Sequence, residues 1–348
     1  MEKKRWFYVV FLAVAGVLLM NGCTSGNVDS LKQIENPTDK LQIGLCFDSF
    51  VIERWIRDRE AFDTTVKSKG AEVNVQNANG SADEQIAQIE YFIKKKVDVI
   101  VIIATDGDSV RDVVRKAKSA GIKIVAYDRL IKNADVDLYI SFDNEEVGQL
   151  MAQTLVSQIP EGGKIFTIKG SPSDNNVDLV ERGFQEVIAK SDLEVVYSAD
   201  CENWLAERAY DAVYSGLRVT KEVSGIMCGN DDLANQAFRA LSENRLAGKV
   251  VMVGQDADLS ACQRIVEGTQ AMTVYKPVEE LAQAAAEYAI MLGNGEELET
   301  ETTIFDGSYD VPYVCLRPIA VTKENIDEVI IENNFHPWEQ VYLNVELE

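Results

Sequence analysis

Polar and aromatic side chains recur at one kind of place in this sequence, directly after short β-branched runs that predict strands. They combine carboxylates, amides, cationic groups and indoles: Asp48, Arg54, Trp55, Asp128, Arg129, Asp174, Asn175, Asn176, Trp204, Asn230, Asp231, Gln255, Asp256, Asp258 and Lys276. Carboxylate and amide oxygens accept hydroxyl protons, and guanidinium, ammonium and amide N–H groups donate to hydroxyl oxygens. Indole faces can cover apolar C–H surfaces. The set therefore suits an uncharged, polyhydroxylated ligand.

Any single pair of this kind has a simpler explanation. Asp-Arg or Asn-Asp at a strand end is usually a turn, a helix cap or a surface ion pair. An indole at the start of a helix, such as Trp55 or Trp204, more often belongs to the core. The repetition of the pattern in both halves of the chain is what favours a shared binding cleft, because ligands of doubly wound sheets sit beyond the carboxyl ends of the strands.

Short β-branched runs alternate with longer helical patterns from Leu41 onward, which is typical of βαβ units and a parallel sheet. In the first half, strands are predicted at 42–47, 72–76, 97–103 and 123–127. A helix is predicted at 54–69, and Ser81 and Glu84 form a capping box that opens the next one.

A second series follows, with strands predicted at 163–168, 193–197, 225–228, 250–253 and 272–274. The predicted fold class is therefore α/β, with two doubly wound parallel-sheet domains. A long helix at 278–292, opened by Pro277, is out of sequence with the second series and indicates a return to the first domain. We expect one lobe from residues 41–145 and 278–312, another from 146–277 and 313–340, and a hinge of several crossings.

Length and charge agree with two soluble domains. The chain has 348 residues, of which 46% are hydrophobic, about twice the usual domain length. Its formal charge is -23, from 57 acidic against 34 basic residues. Neutralisation of phosphates could not drive binding to nucleic acid, which is therefore excluded as a partner.

The N-terminal residues predict export. Three basic residues at 3–5 precede an apolar run at 6–20, which is shorter than most membrane-spanning helices and typical of a secretory signal. Met-Asn-Gly before Cys23 resembles a bacterial lipobox, in which that cysteine would be lipidated and become the first mature residue. We expect a signal peptide at 1–22 and a lipidated tether at 23–40, at the outer face of the cell membrane or in the periplasm.

The residues that most catalytic classes need are missing. His336 is the single histidine and lies near the C-terminus, so no Ser-His-Asp or Cys-His triad and no His-rich metal site is expected. Neither G-x-x-x-x-G-K-[ST] nor G-x-G-x-x-G occurs, which argues against a kinase or a dinucleotide enzyme. Two carboxylates could still act as in a glycosidase, which counting alone does not exclude. We expect a binding protein and not an enzyme.

The cysteines beyond Cys23 show no metal or disulfide spacing. They lie at positions 46, 201, 228, 262 and 315, without a C-x-x-C pair. We interpret them as small buried hydrophobic residues.

Several contiguous blocks between about Leu41 and His336 resemble a known family. They read Glu-Arg-Trp at 53–55, Gln-Asn-Ala-Asn-Gly at 76–80, Ala-Tyr-Asp-Arg at 126–129, Tyr-Ile-Ser-Phe-Asp-Asn-Glu at 139–145, Gly-Ser-Pro-Ser-Asp-Asn-Asn at 170–176, Gly-Gln-Asp-Ala-Asp at 254–258 and Met-Thr-Val-Tyr-Lys-Pro at 272–277. The chain resembles the periplasmic sugar-binding proteins of ABC importers, in the ribose- and galactose-binding group with type I folds, and most of all their xylose-binding members.

The resemblance implies a role for each matched residue. Sugar hydroxyls would be bound by Arg54, Arg129, Asn175, Asn230, Asp256 and Lys276. Trp55 and Trp204 would sandwich the sugar ring, and Asp128 would bind the sugar or orient the neighbouring guanidinium. Cys201 stands where a further indole is expected, which leaves strict preference for xylose open.

The resemblance also implies the partners. They are a monosaccharide, with D-xylose expected first, and the permease subunits of an ABC importer in the membrane; the protein is expected to be a monomer. No cofactor is implied, and the run of alternating Asp and Asn residues that forms a calcium loop in galactose-binding relatives is missing.

Two alternatives remain open on these residues, and a third is disfavoured. The ligand could be another aldose, such as glucose, ribose or arabinose. The protein could report sugar to a chemotaxis or histidine-kinase partner in place of a permease. Sugar-responsive transcriptional regulators share the bilobed fold, but they carry an N-terminal helix-turn-helix where this chain has a signal segment.

Overall fold

The computed structural model describes residues 40–300 and 302–345. The predicted signal peptide, Cys23 and nearly all of the predicted tether lie outside these residues. Within the described ranges, no helix is both long and apolar enough to cross a membrane.

Strands and helices alternate along the described chain, as the sequence periodicity predicts. The strands are β1 (Gln42–Phe47), β2 (Glu72–Asn77), β3 (Val99–Ile102), β4 (Lys123–Tyr127), β5 (Leu138–Phe142), β6 (Gly163–Lys169), β7 (Leu193–Asp200), β8 (Gly225–Cys228), β9 (Val251–Gln255), β10 (Met272–Tyr275), β11 (Thr302–Phe305), β12 (Asp310–Leu316) and β13 (Ile319–Val321). The helices are α1 (Arg54–Ser68), α2 (Ala82–Lys95), α3 (Arg111–Ser119), α4 (Asn144–Gln158), α5 (Asn175–Ile188), α6 (Ala206–Val219), α7 (Asp231–Glu243), α8 (Leu259–Glu267), α9 (Val278–Gly293) and α10 (Trp338–Val341).

The strands form two sheets. The first has the order β11-β12-β5-β4-β3-β1-β2, and only β11 runs antiparallel to its neighbour. The second has the order β13-β10-β9-β8-β6-β7, and only β13 is antiparallel. Every residue of β3 and β8 is buried, as expected for parallel strands covered by helices on both faces. The predicted α/β class with two parallel-sheet domains is confirmed.

We call the first sheet with its helices the first lobe, and the second sheet with its helices the second lobe. In the described residues the chain changes sheet three times: after β5, after β10 and after β12. Helix α9 packs against α1 of the first lobe, and Nζ of Lys69, the residue after α1, lies 2.7 Å from Oε1 of Glu287 in α9. Strand β12 lies wholly in the first sheet, so the last crossing, at 317–318, comes a few residues after the lobe boundary expected at residue 312.

Two glycines bring α4 and α5 into backbone contact. A Cβ atom on Gly148 would lie 1.9 Å from the carbonyl oxygen of Val180, and one on Gly183 would lie 1.9 Å from that of Glu145. Neither position could accept a larger residue without moving a helix. Because α5 begins at Asn175, this crossing fixes where its first turn points.

The sequence located most strands and missed four. The predictions at 42–47 and 225–228 agree with β1 and β8, and Ser81 Oγ caps α2 by accepting from Glu84 N at 3.3 Å. Strands β5, β11, β12 and β13 were not predicted. Of these, β11 and β13 are short edge strands whose residues are mostly exposed or half-buried, so they lack a hydrophobic pattern.

The interpretation of the cysteines needs one correction. Cys46, Cys201, Cys228 and Cys262 are buried, whereas Cys315 is exposed. Strand β11 pairs with β12 only up to residue 313, so among the described residues no strand pairs with the end of β12 that holds Cys315 on that side.

Candidate functional site

The carboxyl ends of strands from both sheets meet at one pocket between the lobes. It is lined by Ile52, Arg54, Trp55, Asp128, Arg129, Asn144, Lys169, Gly170, Asp174, Asn176, Val177, Val180, Trp204, Met227, Gly229, Gln255, Asp256 and Lys276. Seven of the nine ligand-binding residues predicted from sequence are among them. The other two, Asn175 and Asn230, lie close by but outside the lining.

Arg54 is held by carboxylates on two sides. Its guanidinium donates to both oxygens of Asp58 at 3.1 and 3.3 Å, and its Nη2 lies 3.0 Å from Asp128 Oδ2. Tyr127 OH also donates to Asp58. Burial alone would raise the pKa of Asp128, but Arg54, Lys276 and Arg129 more than offset it and lower that pKa. Asp128 is therefore a charged acceptor inside the pocket.

Arg129 connects the two lobes. Its Nη1 donates to Asp48 Oδ2 at 2.8 Å and to the carbonyl oxygen of Ala104 at 3.0 Å, both in the first lobe. Its Nε lies 2.9 Å from Oδ2 of Asp174 in the second lobe. The same Oδ2 accepts from the indole Nε1 of Trp204 at 3.2 Å. Arg129 Nη2 is buried and has no protein partner, so this guanidinium has a free donor at the pocket.

The first turn of α5 docks on the loop after β4. Asn176 Nδ2 donates to Asp128 Oδ1 at 3.0 Å and to its carbonyl oxygen at 3.1 Å. Asn175 Oδ1 accepts from the backbone N–H of Leu130 at 2.9 Å. Asn175 thus joins the lobes beside the pocket and its neighbour Asn176 is among the lining residues, so the binding of a sugar hydroxyl by Asn175 stays a prediction.

The indoles come from opposite lobes. Trp55 lies at the start of α1, with the Arg54 guanidinium 4.4 Å from its ring centroid, and its buried Nε1 has no protein partner. Trp204 follows β7 and packs against Gly170, where a Cβ atom would lie 2.1 Å from the ring. Gly170 therefore cannot be replaced without displacing the indole. Cys201 is buried and is not among the residues that line the pocket, so its side chain does not take the place of the indole that the resemblance leads one to expect there.

Backbone strain marks three residues of the lining. The φ angles of Asp128, Trp204 and Asp256 are 63°, 56° and 95°, in a region that L-residues with side chains rarely adopt. Such conformations persist where surrounding contacts impose them and are common at binding sites.

Two further predicted residues follow strands of the second lobe. Lys276 Nζ lies 2.7 Å from Asp256 Oδ1, and both side chains are nearly fully buried. Asn230 caps α7, because its Oδ1 accepts from Leu233 N at 2.9 Å, and its buried Nδ2 has no protein partner.

Sequence reasoning missed part of the lining. Residue type alone does not single out Asn144, which lies at a helix start within the block at 139–145, or Lys169, which ends a strand; in the structure Lys169 also pairs with Glu181 at 3.0 Å. The apolar residues Val177, Val180 and Met227 look like core positions in the sequence.

A pair of buried carboxylates adjoins the pocket residue Asp256. Asp231 accepts hydrogen bonds from Thr273 Oγ1 at 2.6 Å, from Gln270 Nε2 at 3.0 Å and from Asp258 N at 3.2 Å. Burial raises the pKa of Asp231 to about 7, and burial with the charges of Asp231 and Asp256 raises the pKa of Asp258 well above its usual value. Because three donors surround Asp231, we assign the charge to it and the retained proton to Asp258.

Replacing Asp258 with Asn is expected to flatten the dependence of stability on pH. A carboxyl group with a higher pKa in the folded than in the unfolded protein binds an extra proton when folded, so the free energy of unfolding falls as pH rises from about 4 towards the folded pKa. The neutral amide removes this loss, and the variant should be more stable than the wild type at pH 8. Urea unfolding between pH 5 and 8 measures the effect, with the exposed Asp178→Asn as control; parallel curves for wild type and variant would contradict it.

Within residues 40–300 and 302–345, no group of three or more His, Cys, Asp or Glu side chains is arranged to hold a metal ion. The single histidine, His336, is buried beside Arg57, and burial lowers its pKa to about 4. Its Nε2 bonds to the carbonyl oxygen of Ala257 at 2.8 Å, so this nitrogen carries the proton.

Comparison with known proteins identifies the class. Residues 43–297 match the family model described as a periplasmic binding protein domain, and the chain belongs to this family. It is 46% identical over 307 residues to the D-xylose-binding periplasmic protein of Haemophilus influenzae, covering 87% of this chain and 92% of that protein. It is 42% identical over 324 residues to the D-xylose-binding periplasmic protein of Escherichia coli, covering 92% and 97%.

A solved structure supports the same assignment. The carbohydrate transporter solute binding protein from Chloroflexus aurantiacus, in complex with D-glucose, has a TM-score of 0.80 at 26% identity, covering 86% of this chain and 98% of that chain. The family predicted from the sequence blocks is confirmed.

Proposed function

We propose that this protein is the extracytoplasmic binding component of an ABC sugar importer, which takes up D-xylose between its lobes and delivers it to the permease. The observation that carries the proposal is the pocket itself, where buried carboxylates, guanidinium groups, an ammonium and two indoles converge from both sheets. The likeness to two D-xylose-binding periplasmic proteins over most of the chain supports pentose as the ligand class.

The polar groups of the site have two roles: some face the sugar, and others hold the sugar-facing side chains in place. Direct hydrogen bonds to sugar hydroxyls are assigned to Arg54, Asp128, Arg129, Asn176, Asn230, Asp256 and Lys276. Trp55 and Trp204, one from each lobe, cover the two faces of the ring. Asp58 and Asp48 hold the guanidinium groups in place from the first lobe.

Closure of the lobes would bury the sugar. Asp174, Asn175 and Asn176 of the second lobe bond to residues 128–130 of the first lobe, so these contacts form only when the lobes meet. Sugar bridging Asp256 and Lys276 to Arg54 and Arg129 would favour the closed form over the open one. The closed form is then the species that the permease recognises.

The pocket chemistry favours binding over catalysis. A glycosidase needs one carboxyl group that stays protonated as general acid. In this pocket Asp128 lies 3.0 Å from Arg54 Nη2, and the charge of Arg54 lowers its pKa. Burial raises the pKa of Asp174, but its Oδ2 lies 2.9 Å from Arg129 Nε, and Asp256 Oδ1 lies 2.7 Å from Lys276 Nζ, so each carboxyl group of the lining is paired with a cation.

Domain limits and attachment complete the proposal. The first lobe comprises residues 41–145 and 278–316, and the second comprises residues 146–277 and 317–340. Signal cleavage before Cys23 and lipidation of that residue would tether a monomeric protein outside the cell membrane.

Isothermal titration calorimetry of soluble protein beginning near Gly26 tests the function. We expect D-xylose to bind with a Kd of about 1 μM or below, and glucose, ribose and arabinose to bind more weakly, because each changes or adds a hydroxyl-bearing group. Tight binding of another aldose would keep the mechanism and change the ligand. Absence of binding to every aldose would contradict the site.

A sensing role would use the same pocket. Pull-down from membranes with the sugar-loaded protein separates the two roles. Recovery of permease subunits supports import. Recovery of a chemoreceptor or histidine kinase without a permease would show that the protein reports sugar to a sensor and does not deliver it to an importer.

A further inference from the structure

Gln255 presents an unpaired hydrogen-bond acceptor at the pocket. It is the last residue of β9, it is among the residues that line the pocket, and it is 5% exposed. Its Nε2 donates to the carbonyl oxygen of Gly229 at 2.5 Å. Because a carbonyl oxygen can only accept, this bond fixes the orientation of the amide. The opposite atom, Oε1, is buried and has no partner in the protein.

The other buried acceptors of the lining are already engaged. Asp128 has Asn176 Nδ2 at one oxygen and Arg54 at the other. Asp256 Oδ1 has no partner of hydrogen-bond geometry, but it lies 2.7 Å from Lys276 Nζ and is paired by charge. Among the lining residues that the structure describes, Gln255 Oε1 is therefore the buried side-chain oxygen with neither a hydrogen bond nor an ion pair.

Buried polar atoms in folded proteins almost always have a partner, and one left without it is costly. The site geometry points to a ligand hydroxyl as that partner. We propose that Gln255 is a specificity-determining residue whose Oε1 accepts the proton of one sugar hydroxyl. This inference rests on the proposed function, since it requires a polyhydroxylated ligand in the same pocket.

An uncharged acceptor discriminates more strongly than the charged groups do between ligands that carry a particular hydroxyl and ligands that lack it. An amide oxygen cannot donate, so a ligand with hydrogen at that carbon leaves Oε1 unpaired. The carboxylates of the pocket keep a cationic partner when one hydroxyl is absent. Loss of the hydroxyl that faces Gln255 should therefore weaken binding by about 10-fold or more.

The test couples a variant to ligands lacking one hydroxyl at a time. D-xylose and its deoxy analogues are titrated into the wild type and into Gln255→Met, which keeps the length of the side chain and removes both polar atoms. We expect the wild type to bind one of these analogues at least about 10-fold more weakly than D-xylose. Gln255→Met should bind that same analogue about as tightly as it binds D-xylose.

Gln85→Met is the matched control. Gln85 is also a buried glutamine, but both ends of its amide are bonded, to the carbonyl oxygen of Ile103 and the backbone N–H of Thr105, each at 2.9 Å, and it does not line the pocket. This variant should lose stability while it discriminates among the analogues as the wild type does.

Two outcomes would overturn the inference. One is that the wild type prefers D-xylose to every deoxy analogue and that Gln255→Met shows the same preferences unchanged. The other needs no variant: it is a wild type that loses less than about 10-fold in affinity for every deoxy analogue relative to D-xylose. Failure of the wild type to bind any aldose would instead reject the proposed function.

Discussion

Replacing Arg129 with Met is expected to lower the affinity for sugar by at least about 100-fold and the free energy of unfolding by about 3–5 kcal/mol. Burial would lower the pKa of Arg129, but Asp174 and Asp48 more than offset this, so the guanidinium stays charged. Without it, two buried carboxylates from opposite lobes lose their cation. Calorimetric titration with D-xylose and urea unfolding measure the two effects.

The Arg129→Met defect should grow with pH. Burial already raises the pKa of Asp174, and removal of Arg129 raises it further. The folded variant then holds a proton that the unfolded chain has released, so its stability falls as pH increases above about 4. We expect a smaller deficit relative to the wild type at pH 5 than at pH 8.

The matched control for this prediction is Arg182→Met. Arg182 forms an ion pair with Glu145 on the surface, and its side chain is 64% exposed. A pair of this kind contributes little, so both affinity and stability should stay within about 1 kcal/mol of the wild type. Wild-type affinity in Arg129→Met would show that the lobes close without the Asp48–Arg129–Asp174 connection.

The sequence predicts the site better than it predicts the orientation of individual side chains. Arg54, Asp128 and Asp256 could be found because the carboxyl ends of parallel strands meet at the same edge of a sheet. The choice between Asn175 and Asn176 could not be made in this way. These residues are adjacent at a helix start, so their side chains point about 100° apart, and the contact between α4 and α5 decides which one faces the pocket.

The apolar part of the pocket could not be predicted for a related reason. Val177 and Val180 lie one turn apart on α5, which is the spacing of a helix face that packs against a core. Nothing in a helical pattern distinguishes a residue buried by a sheet from one buried by the opposite lobe. Gln255 is similar, because its role depends on the free Oε1 that appears only when the bond to Gly229 is known.

Replacing Trp204 with Ala is expected to reduce the affinity for D-xylose by at least about 100-fold and to lower the free energy of unfolding by about 3–5 kcal/mol. The indole is 7% exposed, it packs on Gly170, and its Nε1 donates to Asp174. Its removal opens a cavity on one face of the sugar ring. It also takes away the Nε1 donor from the carboxylate of Asp174, which is paired with Arg129. Titration and urea unfolding of the same preparation separate the two losses.

Two companion variants separate stacking from packing at Trp204. Trp204→Phe keeps an aromatic face but removes the hydrogen bond to Asp174. Its affinity for D-xylose should be about 10-fold lower than that of the wild type and higher than that of Trp204→Ala. Trp338→Ala removes an indole that is 39% exposed, stacked on Tyr342 and outside the pocket, and it should leave affinity unchanged. If Trp204→Ala bound D-xylose as tightly as the wild type, the ring face would have another cover. Closure of the lobes would then not depend on the indoles of Trp55 and Trp204 covering the two faces of the sugar ring.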